Sequence, residues 1–356
     1  MTASVPTLQF LKFALATLGL AAFVAGSRAA DAVPDPRAVL GEAIGAILGA
    51  DGPKEERLLR SLDPATLSPK YADMRACMLG RLDGTGALPP AADPFARHVL
   101  DLYAAYWREA LAHADARAAA ERRLARALAA ALERPDLADA TQQAIEPVLA
   151  ARLEKSGYHV LLGRTGLLLE LMLWTRQDDK PYTVALPEGT HVTHVFLLND
   201  FLVTGWTGWF SCGRTGTGGW TKPEGLYAVV PNYQSLDDET FKVNFLAHET
   251  QHFADITRFP DLLDWEKEYR AKLVELSLAD TTRARVLGVF ESNQGDNIDD
   301  AHSYADKRVL QHLRQRLGLA PDADLAAVPG DRLRAAAKAQ LLADSAARER
   351  GKAGGR

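Results

Sequence analysis

The run Val243-Asn-Phe-Leu-Ala-His248-Glu249-Thr-Gln-His252-Phe-Ala-Asp255 limits what this chain can become more than any other stretch. It contains His-Glu-x-x-His. On a helix, His248 and His252 stand one turn apart on the same face. Two imidazoles so placed can take two corners of a metal tetrahedron, and zinc suits that donor set. Glu249 projects about 100° round the axis, where it can act on a water beside the ion without holding the ion. Both roles need a helix and a third ligand.

The helix is supported by its ends. Ser235 to Asp238 reads as a capping box, and Asp237, Asp238 and Glu239 put negative charge in the first turn. Pro260 ends the run. Phe241 and Phe245 fall on the histidine face, Leu246 and Phe253 on the opposite side. A helix apolar on both sides is a buried helix. The competing reading is a core helix with two hydrogen-bonded histidines. The position of Glu249 and the polar residues that interrupt the buried run weigh against it.

The third ligand follows from a fold-back. After Arg258-Phe-Pro260-Asp261 a second helix begins, running through Glu268 and Glu275. A hairpin about residue 260 sets residue 268 opposite residue 252, so Glu268 is the expected ligand. Glu275 shares its face and is the reserve, placed by the same symmetry away from the metal. Asp255 lies on the ligand face and is expected to orient a histidine N–H rather than bind the ion.

With these residues the segment from about 235 to 280 resembles the gluzincins, zinc metallopeptidases with His-Glu-x-x-His on one helix and a Glu on the next. The resemblance implies His248, His252 and Glu268 as zinc ligands and Glu249 as catalytic base. The gap of 15 residues between His252 and Glu268 (268 − 252 − 1) is somewhat short for the best-known members. The Gly and third His of the metzincins are absent. The His-Glu-x-Gln-His-Phe-x-Asp and Glu-Tyr-Arg-Ala-Lys-Leu pattern is also similar to an uncharacterised exported bacterial family, which adds no activity.

The rest of the chain frames this core. Residues 1–32 read as a signal peptide: Lys12, an apolar run to Ala25, then small residues with cleavage options after Ala29 or Ala32. Export to the periplasm or medium follows, with no stable membrane insertion after cleavage; an uncleaved anchor is the alternative. The formal net charge of −5 gives no reason to expect nucleic acid. Residues 33–156 are rich in Ala, Leu and Arg with helical spacing and predict a helical bundle; Phe95, Val99, Leu102 and Tyr106 mark one stripe, which Trp107 and Leu111 extend. A helical-repeat adaptor is the rival reading of that region.

From Gly157 the pattern changes. Tyr182-Thr-Val-Ala-Leu, a Pro-Glu-Gly turn and His191 to Leu198 read as a β-hairpin, with further strands at Phe201 and Gly225–Val230. His191 and His194, three apart on a strand, face opposite ways and are rejected as chelators. The Gly205–Trp220 segment, with three Trp and six Gly, is either a flexible cleft wall or a set of tight turns with Trp packed on the core. Cys77 and Cys212 allow one disulfide; without a signal of proximity they are read as unpaired. Asp299 or Asp300 should cap a late helix, from which His302 can donate to the oxyanion of a tetrahedral intermediate; an ordinary surface histidine is the rival.

The expected fold is therefore α+β: a zincin-like helix beside a mixed β-sheet, preceded by a helical bundle. The expected domains are 33–156 (helical), 157–320 (metallopeptidase) and 321–356 (C-terminal helix and tail). The expected reaction is hydrolysis of a peptide or protein substrate, with zinc as cofactor. A zinc-stabilised binding module without turnover and a ferritin-like di-iron bundle are the alternatives; the latter needs a second Glu-x-x-His.

Overall fold

The computed structural model describes residues 12–14, 35–86 and 89–354. The expected signal peptide lies outside the described residues, apart from the short strand β1 (Lys12–Ala14). The fold is α+β. Six helices come first: α1 (Pro36–Leu48), α2 (Gly52–Ser61), α3 (Pro69–Asp83), α4 (Pro94–Ala112), α5 (Arg117–Ala131) and α6 (Gln142–Lys155). The strands β2 (His159–Thr165), β3 (Leu168–Leu186) and β4 (Gly189–Thr204) follow, then the short helix α7 (Gly205–Phe210) and the hairpin β5 (Thr217–Lys222) and β6 (Gly225–Val229). The sheet order is β1-β5-β6-β4-β3-β2. The β2–β3 and β5–β6 pairs are antiparallel, with His159 opposite Trp174 and Gly219 opposite Ala228.

The remaining elements are helical. They are α8 (Glu239–Phe241), a π-helical stretch Lys242–Ala247, α9 (His248–Arg258), α10 (Asp264–Leu278), α11 (Arg283–Ser292), α12 (Ala301–Leu317) and α13 (Gly330–Gly354). The chain forms two compact units: one holds the described residues from 14 to 177 together with 198–217, the other residues 12–13, 178–197 and the described residues from 218.

In the first unit the core is built on α4. Val99, Tyr106, Trp107 and Leu111 are buried as the spacing predicts, but the stripe is rotated: Leu100 and Tyr103 are buried while Phe95 and Leu102 are only half-buried. The polar tips of Tyr106 and Trp107 still find partners. Trp107 Nε1 donates to the Leu169 carbonyl at 2.8 Å, and Leu169 N donates to the Tyr106 hydroxyl at 3.0 Å. These two bonds fasten the start of β3 to α4.

The Gly/Trp segment takes the packed form, not that of a flexible wall. Gly205–Phe210 is a buried helix, and Trp206, Trp209 and Trp220 are all buried. Buried Glu170 accepts Trp206 N at 3.1 Å and so caps α7. Gly205 sits at φ +90°, and a Cβ there would meet Glu170 Oε1 at 2.5 Å, so only glycine fits.

The reading of Cys77 and Cys212 as unpaired is corrected: they form a disulfide that ties α3 to the end of α7. Their proximity depends on how α7 folds back, a contact 135 residues apart in sequence. Such bonds persist in oxidising compartments. Among the described residues, no helix is long and apolar enough to cross a membrane.

One residue of the helical unit sets a pH dependence. Glu55 on α2 is fully buried, neither carboxylate oxygen has a partner, and burial, helped by the charge of Glu56, pushes its pKa from 4.5 up to about 9. A folded pKa above the unfolded one means stability that is complete below pH 4.5 and is lost as pH rises towards 9. Glu55→Gln removes this ionisation. Its stability relative to wild type, measured by urea unfolding, should rise between pH 5 and pH 8 by up to ~1 kcal/mol per pH unit. A difference that stays constant over that range would show that Glu55 does not ionise on unfolding.

Candidate metal centre

The helix carrying the histidines starts later than expected. Asp238, not Ser235, is the cap: its Oδ1 accepts Phe241 N at 3.0 Å, while Ser235 Oγ accepts Asp237 N. The chain passes through the π-helical stretch before entering α9 at His248. Such π turns are rare and cluster at functional sites because the added residue re-aims the side chains that follow. Arg285 Nη2 donates to Asn244 Oδ1 inside this stretch at 2.7 Å. Helix α9 ends at Arg258, as Pro260 demands.

The sheet positions α9 from below. Thr193 on β4 meets Thr250 at 3.2 Å, and Thr221 Oγ1 on β5 donates to Glu249 Oε2. Strand β5 lies this close because residue 219 is glycine: a Cβ there would meet the Tyr227 carbonyl at 2.2 Å and the Phe245 ring at 2.5 Å. A helix seated on a sheet in this way is incompatible with a four-helix di-iron bundle.

Helix α10 folds back alongside and brings the third donor. His248, His252 and Glu268 form a buried group whose ligand atoms all lie within 4.8 Å of one another, and this group could hold a metal ion. Glu268 Oε1 is 3.4 Å from His252 Nε2, and Oε2 is 3.5 Å from His248 Nε2. A tetrahedron with arms of about 2.1 Å has edges of about 3.4 Å, so these separations suit a zinc-sized centre. Both carboxylate oxygens and both ring nitrogens of His252 are buried without a hydrogen bond of proper geometry. Lone pairs that converge without donors are what a cation satisfies.

The charge balance points the same way. Glu249, Glu268, Glu275 and Asp306 are all buried around this group. Buried Lys272, 2.8 Å from Asp306, offsets one of the four charges. A divalent ion offsets two more. Burial opposes the charge on Lys272, and Asp306, Glu268 and Glu275 outweigh it and raise its pKa. His248 behaves alike: burial works against its protonation, but Glu275 and Glu268 push it up to about 9. A metal must therefore displace a proton from this ring.

Two surrounding residues sit differently from their expected places. Glu275, expected to point away, has its Oε1 3.2 Å from His248 Nδ1, where it orients the ring. The reason is the turn: α9 ends at 258 and α10 starts at 264, so the fold-back centres on residue 261 and sets 248 opposite 274. Asp255 orients no histidine; it accepts Gln251 Nε2 at 2.8 Å and Arg270 Nε at 2.9 Å. His302, on α12 behind its Asp300 cap, is one-third exposed with Nδ1 3.0 Å from Glu268 Oε2. Sequence reasoning missed Thr221, Lys272 and Asp306. Thr221 lies just past the Gly205–Trp220 segment, between it and the next expected strand, and the Lys272–Asp306 pair joins helices whose contact had no local signal. His191 and His194 belong to no metal-binding group among the described residues.

No family model matches the chain, and neither a curated protein nor a solved structure does.

Proposed function

We propose that this chain is an exported zinc-dependent metallopeptidase acting on a peptide or protein substrate. The observation that carries the reading is the buried His248–His252–Glu268 group with Glu249 on the same helix but outside the donor set. A divalent ion held by those three residues supplies Lewis acidity at that point. Glu249 has one oxygen fixed by Thr221 and the other, Oε1, without a partner. That oxygen takes the proton of the water that attacks the scissile carbonyl and passes it to the leaving amine. His302 turns Nδ1 towards Glu268, so its contact with the developing oxyanion is made through Nε2. The Cys77–Cys212 disulfide supports export, as does the signal-like sequence of residues 1–32.

The second reading, a zinc-stabilised binding module of the cell envelope, draws on the full burial of His248, Glu249 and Glu268. Against it, a structural zinc site fills its fourth position with protein, and the group found here has three members. The metal itself is tested first. Purified protein should carry about one zinc per chain, and the variant with both His248→Ala and His252→Ala should carry none. Full occupancy in the double variant, measured by elemental analysis, would end both readings.

A further inference from the structure

The three donors of the metal centre converge, but solvent does not reach them. The side chains of His248 and Glu268 have no exposed surface, and that of His252 has 5%. An ion must come within about 2 Å of each donor atom, and a substrate carbonyl must follow it. The centre is therefore closed. A cavity of about 920 Å³ beside α9 does not open it, because that space reaches Gln251, Asp255 and Arg258 on another face of the helix and none of the donors.

The way in is marked by what lies against the donors. Two further ionisable side chains meet them among the described residues: Glu275 at His248 Nδ1, and His302 at Glu268 Oε2. Glu275 is buried. His302 is 33% exposed while its Nδ1 stands 3.0 Å from Glu268 Oε2. Its ring thus spans the wall between a metal ligand and solvent.

The segment carrying this ring is bonded mainly to itself. Between α11 and α12, residues 293–300 are exposed apart from Gly295. Gly295 N donates to the Ser303 carbonyl at 3.1 Å, Asn293 Nδ2 to Asp306 Oδ2 at 2.8 Å, and Lys307 Nζ to Asp296 Oδ1 at 2.6 Å. Asp300 caps α12 by accepting Ser303 N. The loop is thus tied to α12. The contacts that seat α12 on α10 come after His302: the Tyr304 ring against Trp265, with centres 5.0 Å apart, and Asp306 against Lys272. His302 precedes both, so it can swing out without unseating the helix.

We propose that His302 is the gate of the metal centre: with its ring on Glu268 the donors are sealed, and an outward swing of residues 301–302 with the loop before them admits the ion and then the substrate. The gate rests on the metal reading and adds the route by which that site is reached. When the closed form dominates, entry is slowed in proportion to the open fraction.

The test is the rate of zinc uptake by the purified, metal-free protein, followed by stopped flow with a fluorescent zinc indicator. His302→Ala leaves a channel the width of the lost ring and should speed uptake at least about tenfold. Asp300→Ala frays the turn that carries His302 and should speed uptake at least about threefold. Asp51→Ala removes the same kind of cap, on Lys54 N of α2 in the other unit, and should leave the rate within about twofold. Circular dichroism checks that each variant folds. The association rate decides the matter. If His302 only oriented Glu268, or bound the ion itself, its loss would weaken affinity through faster release and would not speed entry. Unchanged uptake in His302→Ala, or equal acceleration by the two cap variants, would overturn the gate and leave the metal reading standing. A wild type that takes up no zinc would remove both.

Discussion

Glu249→Gln should abolish most hydrolysis while leaving the metal in place. The glutamine keeps the shape of the glutamate and can still accept from Thr221, the bond that fixes the native side chain. It cannot take a proton. Zinc content should therefore match wild type, and turnover should fall by roughly two to four orders of magnitude, the usual worth of a positioned general base. Stability should change little or rise, because one of four buried carboxylates loses its charge in a cluster where Lys272 is the partner cation. The assay is turnover of a broad peptide library with metal analysis on the same samples. Equal turnover in variant and wild type would remove Glu249 from the mechanism. Bound zinc with no turnover in either would favour the binding module.

The parts of this site that were legible in sequence are those fixed by local geometry. His248 and His252 share a face because a helix repeats every 3.6 residues, and Glu268 follows because a short turn between helices forces a hairpin. The same hairpin argument misplaced Glu275, since an error of one residue in the turn centre moves the facing position by two. Asp255 escaped for another reason. Its partner Arg270 reads in sequence as part of a solvated charged face, yet Arg270 is fully buried. Charge alone does not say whether a side chain meets water or three carboxylates. The hairpin of β3 and β4 was visible from alternation, but its length was not: the strands span 19 and 16 residues, through polar stretches such as Gln177–Lys180. Strand β5 was hidden by its glycines, of which Gly219 lets Phe245 and Tyr227 approach. The disulfide, the π turn and the Lys272–Asp306 pair depend on tertiary contacts that no local pattern encodes.

Arg270→Met should cost this unit about 3–5 kcal/mol, the scale of removing one partner from a buried ion pair. The guanidinium holds Asp255 at 2.9 Å, Asp344 at 2.7 Å and Glu188 at 2.9 Å, with Ser345 at 3.0 Å. It thereby joins α9, α10, α13 and the β3–β4 turn through a single residue. Methionine fills much of the volume but leaves buried Asp255 without a cation, while Glu188 keeps Arg258 and Asp344 keeps Arg348, so the loss comes from one uncompensated buried carboxylate and its missing hydrogen bond rather than from a cavity. Arg270→Lys keeps the charge but loses the planar fork, so its cost should be smaller. The electrostatic origin has its own signature. Arg270→Lys restores a cation beside Asp255, so it should recover at least about half of the Arg270→Met deficit. Urea unfolding of both variants at pH 7, followed by a probe in this unit such as Trp265 fluorescence, reads both effects. A deficit below about 1 kcal/mol at pH 7 would show that the network adds little to stability. An equally large deficit in Arg270→Lys would assign the loss to the packing of the guanidinium instead, and α9 would then owe its position to the two threonines that meet it from the sheet.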